Sequence, residues 1–286
     1  MINRRLFIAT VGAAAVAACR KSGQVQQAAT QDSPRRLQRV GIQLYSVRTE
    51  MQRDMPGTLA RLGQIGYREV EFAGYFRRPP AEVKQMLQQN GLSAPSTHVQ
   101  YEVVRDNFDR TADEAQAVGH QWLTVPFLGN AERQSVDTWK RVAAEFNKAG
   151  ERAKARGMRF AYHNHDFEFN RVGGVLPFDL LLDETDPNLV WFQMDVYWTT
   201  KAGGDPLAYF RKYPTRFSML HIKDSAGPPN QAQTDVGSGT IDFAAILRLD
   251  ASQQSAVKHA FVEHDQPPDP MAFAKKSYDY LSRMEY

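Results

Sequence analysis

The sequence predicts a single-domain α/β protein folded as a (β/α)8 TIM barrel over residues 38–286. The first observation is alternation: short β-prone runs are separated by longer segments with helical spacing, the order that builds a parallel sheet from strand and helix units. The second is number, since eight such units in about 250 residues close a sheet into a barrel. The third is that no glycine-rich fingerprint follows the first run, as it would in an open dinucleotide-binding sheet.

In chain order, residues 1–19 read as an address rather than as fold. The stretch NRRLFIATVGAAAVAAC places paired arginines before an apolar segment too short and too rich in small residues to span a membrane stably. It resembles a twin-arginine export signal, and VAAC resembles a lipobox, so Cys19 is the expected lipidation site. The expected location is outside the cytoplasm, with membrane contact only through that lipid anchor. Residues 20–37 are polar and rich in Gln, Ser and Ala, as in a flexible tether. Cys19 is the single cysteine, so the barrel has neither a disulfide nor a thiolate metal ligand. The net charge is only +3, and Arg4, Arg5, Arg20, Lys21, Arg35 and Arg36 precede the barrel, which argues against a nucleic-acid partner.

The eight runs are RVGIQLYS (39–46), REVEFAG (68–74), SAPSTHV (93–99), WLTVPFL (122–128), MRFAYHNH (158–165), LVWFQMDVY (189–197), FSMLHIKD (217–224) and HAFVEHD (259–265). Helical spacing marks the stretches 55–66, 80–91, 139–157 and 206–213 between them. Several of these end in glycine, the usual helix terminator. VGSGTIDF (236–243) lacks the Gly-Lys-Ser/Thr ending of a phosphate loop, and its Asp242 is placed to cap the next helix.

Chemistry in a parallel barrel gathers at the C-terminal strand ends. Here the runs end in Glu71, His98, His163 with His165, Asp195, His221 with Lys223, and Glu263. Because side chains two apart on a strand share a direction, His163 and His165 point into one pocket, as do His221 with Lys223 and Glu263 with Asp265. Asn164, Ile222 and His264 face the other way. Two imidazoles and two carboxylates without thiolate suit a borderline divalent cation, which makes His163, Asp195, His221 and Glu263 the candidate ligands. A passenger exported already folded can carry a metal chosen inside the cell, which makes manganese the first expectation, with zinc, magnesium or cobalt as alternatives. Glu263, His165 and Lys223 are the candidate catalytic groups, with Glu263 as base and His165 or Lys223 as acid. Glu71, His98, Tyr45 and Trp198 are candidates for substrate contact, and Phe76 and Tyr197 could add to the same aromatic wall.

Together VGIQLYSVR, GYREVEFAG, YHNHDFEF, QMDVYW, HIKD, VGSGTIDF and FVEHD resemble the sugar phosphate isomerase/epimerase superfamily, the xylose isomerase-like TIM barrels. The resemblance implies a divalent-metal-dependent enzyme that isomerises or epimerises a free sugar, keto-sugar or glycoside derivative through an enediolate. The family's epimerases usually carry a glutamate where this chain has His163, which fits a one-base isomerisation or an epimerisation with mixed acid and base partners, with a lyase or dehydratase eliminating from a 3-keto-sugar as the alternative. A sugar-binding lipoprotein without turnover is the non-enzymatic alternative. The expected partner is a small sugar, and homo-oligomerisation stays open.

Overall fold

The structure, a computed structural model, describes residues 34–252 and 256–286. The expected export signal, with Cys19, and all but the last residues of the expected tether lie outside the described residues. Among the described residues, no helix is long and apolar enough to cross a membrane.

The predicted barrel is present. Its strands are β1 (Gly41–Gln43), β2 (Glu69–Phe72), β3 (Ser93–His98), β4 (Trp122–Val125), β5 (Arg159–His163), β6 (Val190–Asp195), β7 (Phe217–Ile222) and β8 (His259–Val262). They pair in parallel, each beside its neighbours in sequence, and β1 closes the ring on β8. Each strand lies within one predicted run and stops two or more residues earlier in most of them, where the backbone turns outward into the loops that carry the site.

Between the strands run α1 (Arg48–Ile65), α2 (Pro80–Gln89), α3 (Tyr101–Asp106), α4 (Phe108–Val118), α5 (Val136–Ala155), α6 (Pro177–Glu184), α7 (Val196–Lys201), α8 (Pro206–Lys212), α9 (Phe243–Ser252) and α10 (Pro270–Leu281). Their starts follow local chemistry. Ser135 and Thr138 form a capping box before α5, Asp269 accepts from the amides of Met271 and Ala272 before α10, and α2, α6, α8 and α10 begin with proline, which has no N–H to leave unsatisfied. Gly66 and Gly119, with φ of 126° and 114°, end α1 and α4.

The apolar faces of strands and helices form one large core around the barrel. Inside the barrel a separate small cluster, Trp122, Ala161, Met219 and Phe261, plugs the lumen. Two residues further along the same strands stand Thr124, His163, His221 and Glu263. The period of two therefore sets a polar layer directly on an apolar plug, and the plug closes that layer to water from below.

A two-stranded ribbon, Asp224–Ser225 with Gln233–Thr234, follows β7. Its base is held by the glycine-rich stretch 236–243, whose amides wrap a carboxylate of this chain rather than a phosphate. Asp224 accepts from the backbone N–H of Ser225 (2.8 Å), Gly237 (2.9 Å), Gly239 (3.0 Å) and Ile241 (3.3 Å). The glycines are needed for approach: a Cβ on Gly239 would stand 2.3 Å from Asp224 Oδ1, and one on Gly237 2.3 Å from the Tyr280 ring. Asp242 caps α9 as predicted, accepting from Ala245 N at 2.8 Å. Asp224→Ala should cost about 2 kcal/mol, because one buried and three partly buried amides now share this charged acceptor. Urea unfolding measures this, and a loss under about 1 kcal/mol would show that the loop keeps its shape without the carboxylate.

Candidate active site and metal centre

The polar layer is built from strand ends. Donor atoms of His163, Asp195, His221 and Glu263 all lie within 4.8 Å of one another, so the four predicted ligands converge. A second convergent group is His98, His163 and His221.

Opposite charges in this cluster meet at short range, with carboxylates in excess. His221 lies between two carboxylates, with Nε2 2.5 Å from Glu71 Oε2 and Nδ1 2.9 Å from Glu263 Oε2. Burial alone would lower its imidazole, but Glu263 and Glu71 push it up to about 10. Burial would likewise raise both carboxyls, yet His98 and His221 hold Glu71, and Lys223 and His221 hold Glu263, well below the usual carboxylate range. Lys223 is fully buried and its Nζ lies 2.8 Å from Glu263, 2.9 Å from Asp265 and 3.2 Å from Asp195. Burial would lower that ammonium, and the three carboxylates outweigh it and raise it well above the ordinary lysine value.

Asp195 ends β6 and caps α7, where its Oδ1 accepts from Trp198 N at 2.9 Å. Its Oδ2 is buried and makes no hydrogen bond among the described residues; Lys223 is near it but outside hydrogen-bonding geometry. Burial raises the Asp195 carboxyl to about 6. An orphaned buried carboxylate oxygen beside two imidazoles and a second carboxylate is the donor set a divalent cation completes, so these residues fit one.

Above the cluster opens a cavity of about 350 Å3, within the range of small-molecule sites. Its lining includes Tyr45, His98, Phe127, His163, His165 and Glu263. His165 shares the pocket with His163 as the strand parity requires, their rings 5.0 Å apart. Burial, and next to it Lys223, lowers the His165 ring to about 3, so it is neutral. It stacks on Phe167, and Trp198 and Phe127 flank it with ring centroids 5.4 Å away. Glu168 holds this loop in place, accepting from His165 N at 2.9 Å and from the Tyr162 hydroxyl.

Other sequence expectations are placed differently. Glu71 is completely buried beneath the cavity instead of on its wall, because Gln43, Gln193, His98 and His221 surround its carboxylate. Lys223 and Trp198 stand behind the lining, with Lys223 Nζ 5.2 Å from the Trp198 ring. Tyr197 is buried and its hydroxyl donates to Gln231 O, while Phe76 does not line the cavity. Asn164, Ile222 and His264 do face away: Asn164 binds Asp195 O and Thr199, Ile222 joins the outer core, and His264 packs on Phe273.

Sequence reasoning missed Gln43 and Gln193, both fully buried below the histidines, and passed over Asp265 and Phe127 as site residues. Parity had a signal for Gln193, which is two residues before Asp195 and so points the same way.

The fold and this cluster define a class, that of TIM-barrel enzymes with a buried polar site at the C-terminal strand ends. Residues 59–253 match the family described as xylose isomerase-like TIM barrel, and the chain belongs to that family. An inosose dehydratase of Lacticaseibacillus casei is 28% identical over 256 residues, which cover 76% of this chain and 85% of that protein. The inosose dehydratase of Clostridium perfringens is 26% identical over 266 residues, covering 78% and 87%. A solved sugar phosphate isomerase/epimerase from Parabacteroides distasonis shares 31% identity and superposes with a TM-score of 0.76, covering 86% of this chain and 98% of that one. The chain is thus an enzyme of this superfamily, with relatives on both the lyase and the isomerase side.

Proposed function

We propose that the chain is a divalent-metal-dependent lyase that eliminates a β-substituent from a keto-sugar or keto-polyol. The observation that carries this reading is the asymmetry of the cavity. Two carboxylates line it on one side, Glu263 from the candidate ligand group and Asp265, which is tied to Lys223 Nζ at 2.9 Å and to Gln233, while the imidazoles of His163, His165 and His98 also line it. Epimerisation by two bases needs a proton acceptor on each face of the reacting carbon, and the position where the family's epimerases usually carry a second glutamate holds His163 here. Elimination needs one base and one hydrogen-bond donor. The relatives named inosose dehydratase support the same choice.

Glu263, ionised throughout the working pH range, takes the proton from the carbon beside the carbonyl. The C–H electron pair becomes the new C=C bond as the bond to the β-oxygen breaks. Neutral His165, lining the same cavity, donates a hydrogen bond to the departing oxygen, which takes the proton that Glu263 removed and leaves as water or alcohol. Lys223 and the His221 ring keep Glu263 in place and hold positive charge against the developing enolate. A divalent cation held by His163, Asp195, His221 and Glu263 would supply further stabilisation of charge on the carbonyl oxygen; manganese is proposed first on the family resemblance, and the same N2O2 donor set would also take zinc, magnesium or cobalt.

Incubation with 2-keto-polyols and 3-keto-glycosides in D2O separates the options. We expect loss of water or alcohol and a growing unsaturated-ketone absorbance, dependent on added Mn2+. Deuterium at the carbon beside the carbonyl with only an epimer or a ketose–aldose pair as product would replace elimination by the isomerase reading, which the Parabacteroides distasonis likeness favours.

A further inference from the structure

The histidine rings at the cavity floor cannot be protonated independently of the glutamines below them. A carboxylate only accepts, so the atom of Gln193 that stands 2.8 Å from Glu71 Oε1 must be its amide nitrogen. The Gln193 oxygen then faces the rings, 2.8 Å from His98 Nε2 and 3.2 Å from His163 Nδ1, and both of those nitrogens must carry a proton. Gln43 is fixed from both ends as well. Its Oε1 accepts from Tyr45 N at 3.1 Å and its Nε2 donates to Glu71 Oε2 at 2.8 Å. That same amide nitrogen lies 3.3 Å from His98 Nδ1, which must therefore present a lone pair.

We propose that Gln193 and Gln43 are positioning residues that hold His163 with its proton on Nδ1 and His98 with its proton on Nε2. His163 then turns a free Nε2 lone pair toward Asp195 Oδ2, 3.9 Å away, while both nitrogens of His98 are already used. This leaves His163 Nε2 as the unengaged imidazole nitrogen of the group His163, Asp195, His221 and Glu263, and leaves His98 none. Glu71 completes the device, since it receives Gln43, Gln193 and His221 Nε2 together, while His221 Nδ1 meets Glu263 Oε2 at 2.9 Å through a proton that a bound cation would displace. The choice of ligands rests on the metal reading above; the tautomers belong to the metal-free chain.

The test uses the full-length chain with 15N-labelled histidine, stripped of metal by chelator, and long-range 1H–15N spectra at neutral pH. His98→Gln and His163→Gln variants assign the rings. We expect one tautomer for each ring, Nδ1–H on His163 and Nε2–H on His98. An Nε2 proton on His163, or a mixture on either ring, overturns the proposal without any glutamine variant. In Gln193→Leu, the His163 ring should redistribute between tautomers and Mn2+ affinity should fall about 10- to 100-fold. An unchanged ring and unchanged affinity would remove Gln193 from its assigned part. The expected tautomers in a protein that binds no Mn2+ would sustain the proposal and overturn the metal reading instead.

Discussion

Lys223→Met should cost the metal-free protein about 3–5 kcal/mol of unfolding free energy, the usual penalty for leaving buried charge without its partner. Lys223 sits at the centre of Asp195, Glu263 and Asp265, all within 3.2 Å of its ammonium. With Glu71 these make four carboxylates against two cations, Lys223 and the protonated His221 ring. Removing one cation leaves the surplus negative charge in a layer that the apolar plug below shields from solvent. The same geometry changes the part expected for this residue: an ammonium held so far above its ordinary value does not give up a proton near neutrality, and it acts through its charge. Added Mn2+ should restore part of the loss, because the cation supplies positive charge at the same place and stabilises the folded state as its concentration passes its dissociation constant. Urea titrations in chelator and in Mn2+ read both effects. A variant as stable as the parent in chelator would show that protons, not Lys223, neutralise these carboxylates.

The barrel was legible because its signals are local. Strands buried on both faces give continuous apolar runs, the crossover helices carry caps and glycine stops, and each run breaks into polar residues where the strand ends. The four convergent donors followed from the same rule, because the period of two and the C-terminal ends of the strands suffice to point His163, Asp195, His221 and Glu263 into one space. What the sequence concealed depends on distance across the barrel. Gln43 and Gln193 read as ordinary polar interruptions, and only closure brings β1, β2 and β6 together so that Glu71 can bind both amides. Glu71 looked like a strand-end group open to substrate for the same reason. The ribbon after β7 was also hidden, since a carboxylate filling a glycine-rich nest leaves a sequence much like that of an anion loop; it matters because Gln233 on that ribbon accepts from Asp265 N at 2.8 Å and so fixes one of the carboxylates around Lys223.

Glu263→Gln should lower turnover by about 10²- to 10⁴-fold, the range for losing a positioned base, even at saturating Mn2+. The substitution keeps the shape of the side chain at the cavity wall, and an amide oxygen can still receive His221 Nδ1 and Lys223 Nζ, so the floor should hold its geometry. What disappears is the capacity to take a proton, together with one anionic donor for the cation. Measuring two quantities separates those losses. Mn2+ affinity follows the donor, whereas exchange of the substrate hydrogen with D2O under metal saturation follows the base. If Glu263 serves both, affinity falls modestly and exchange falls with elimination. A variant that still exchanges that hydrogen at the parent rate but cannot eliminate would place the base elsewhere and leave Glu263 with the later, bond-breaking step. His165 is then the group to examine, since it is the ionisable ring across the same cavity that neither glutamine holds.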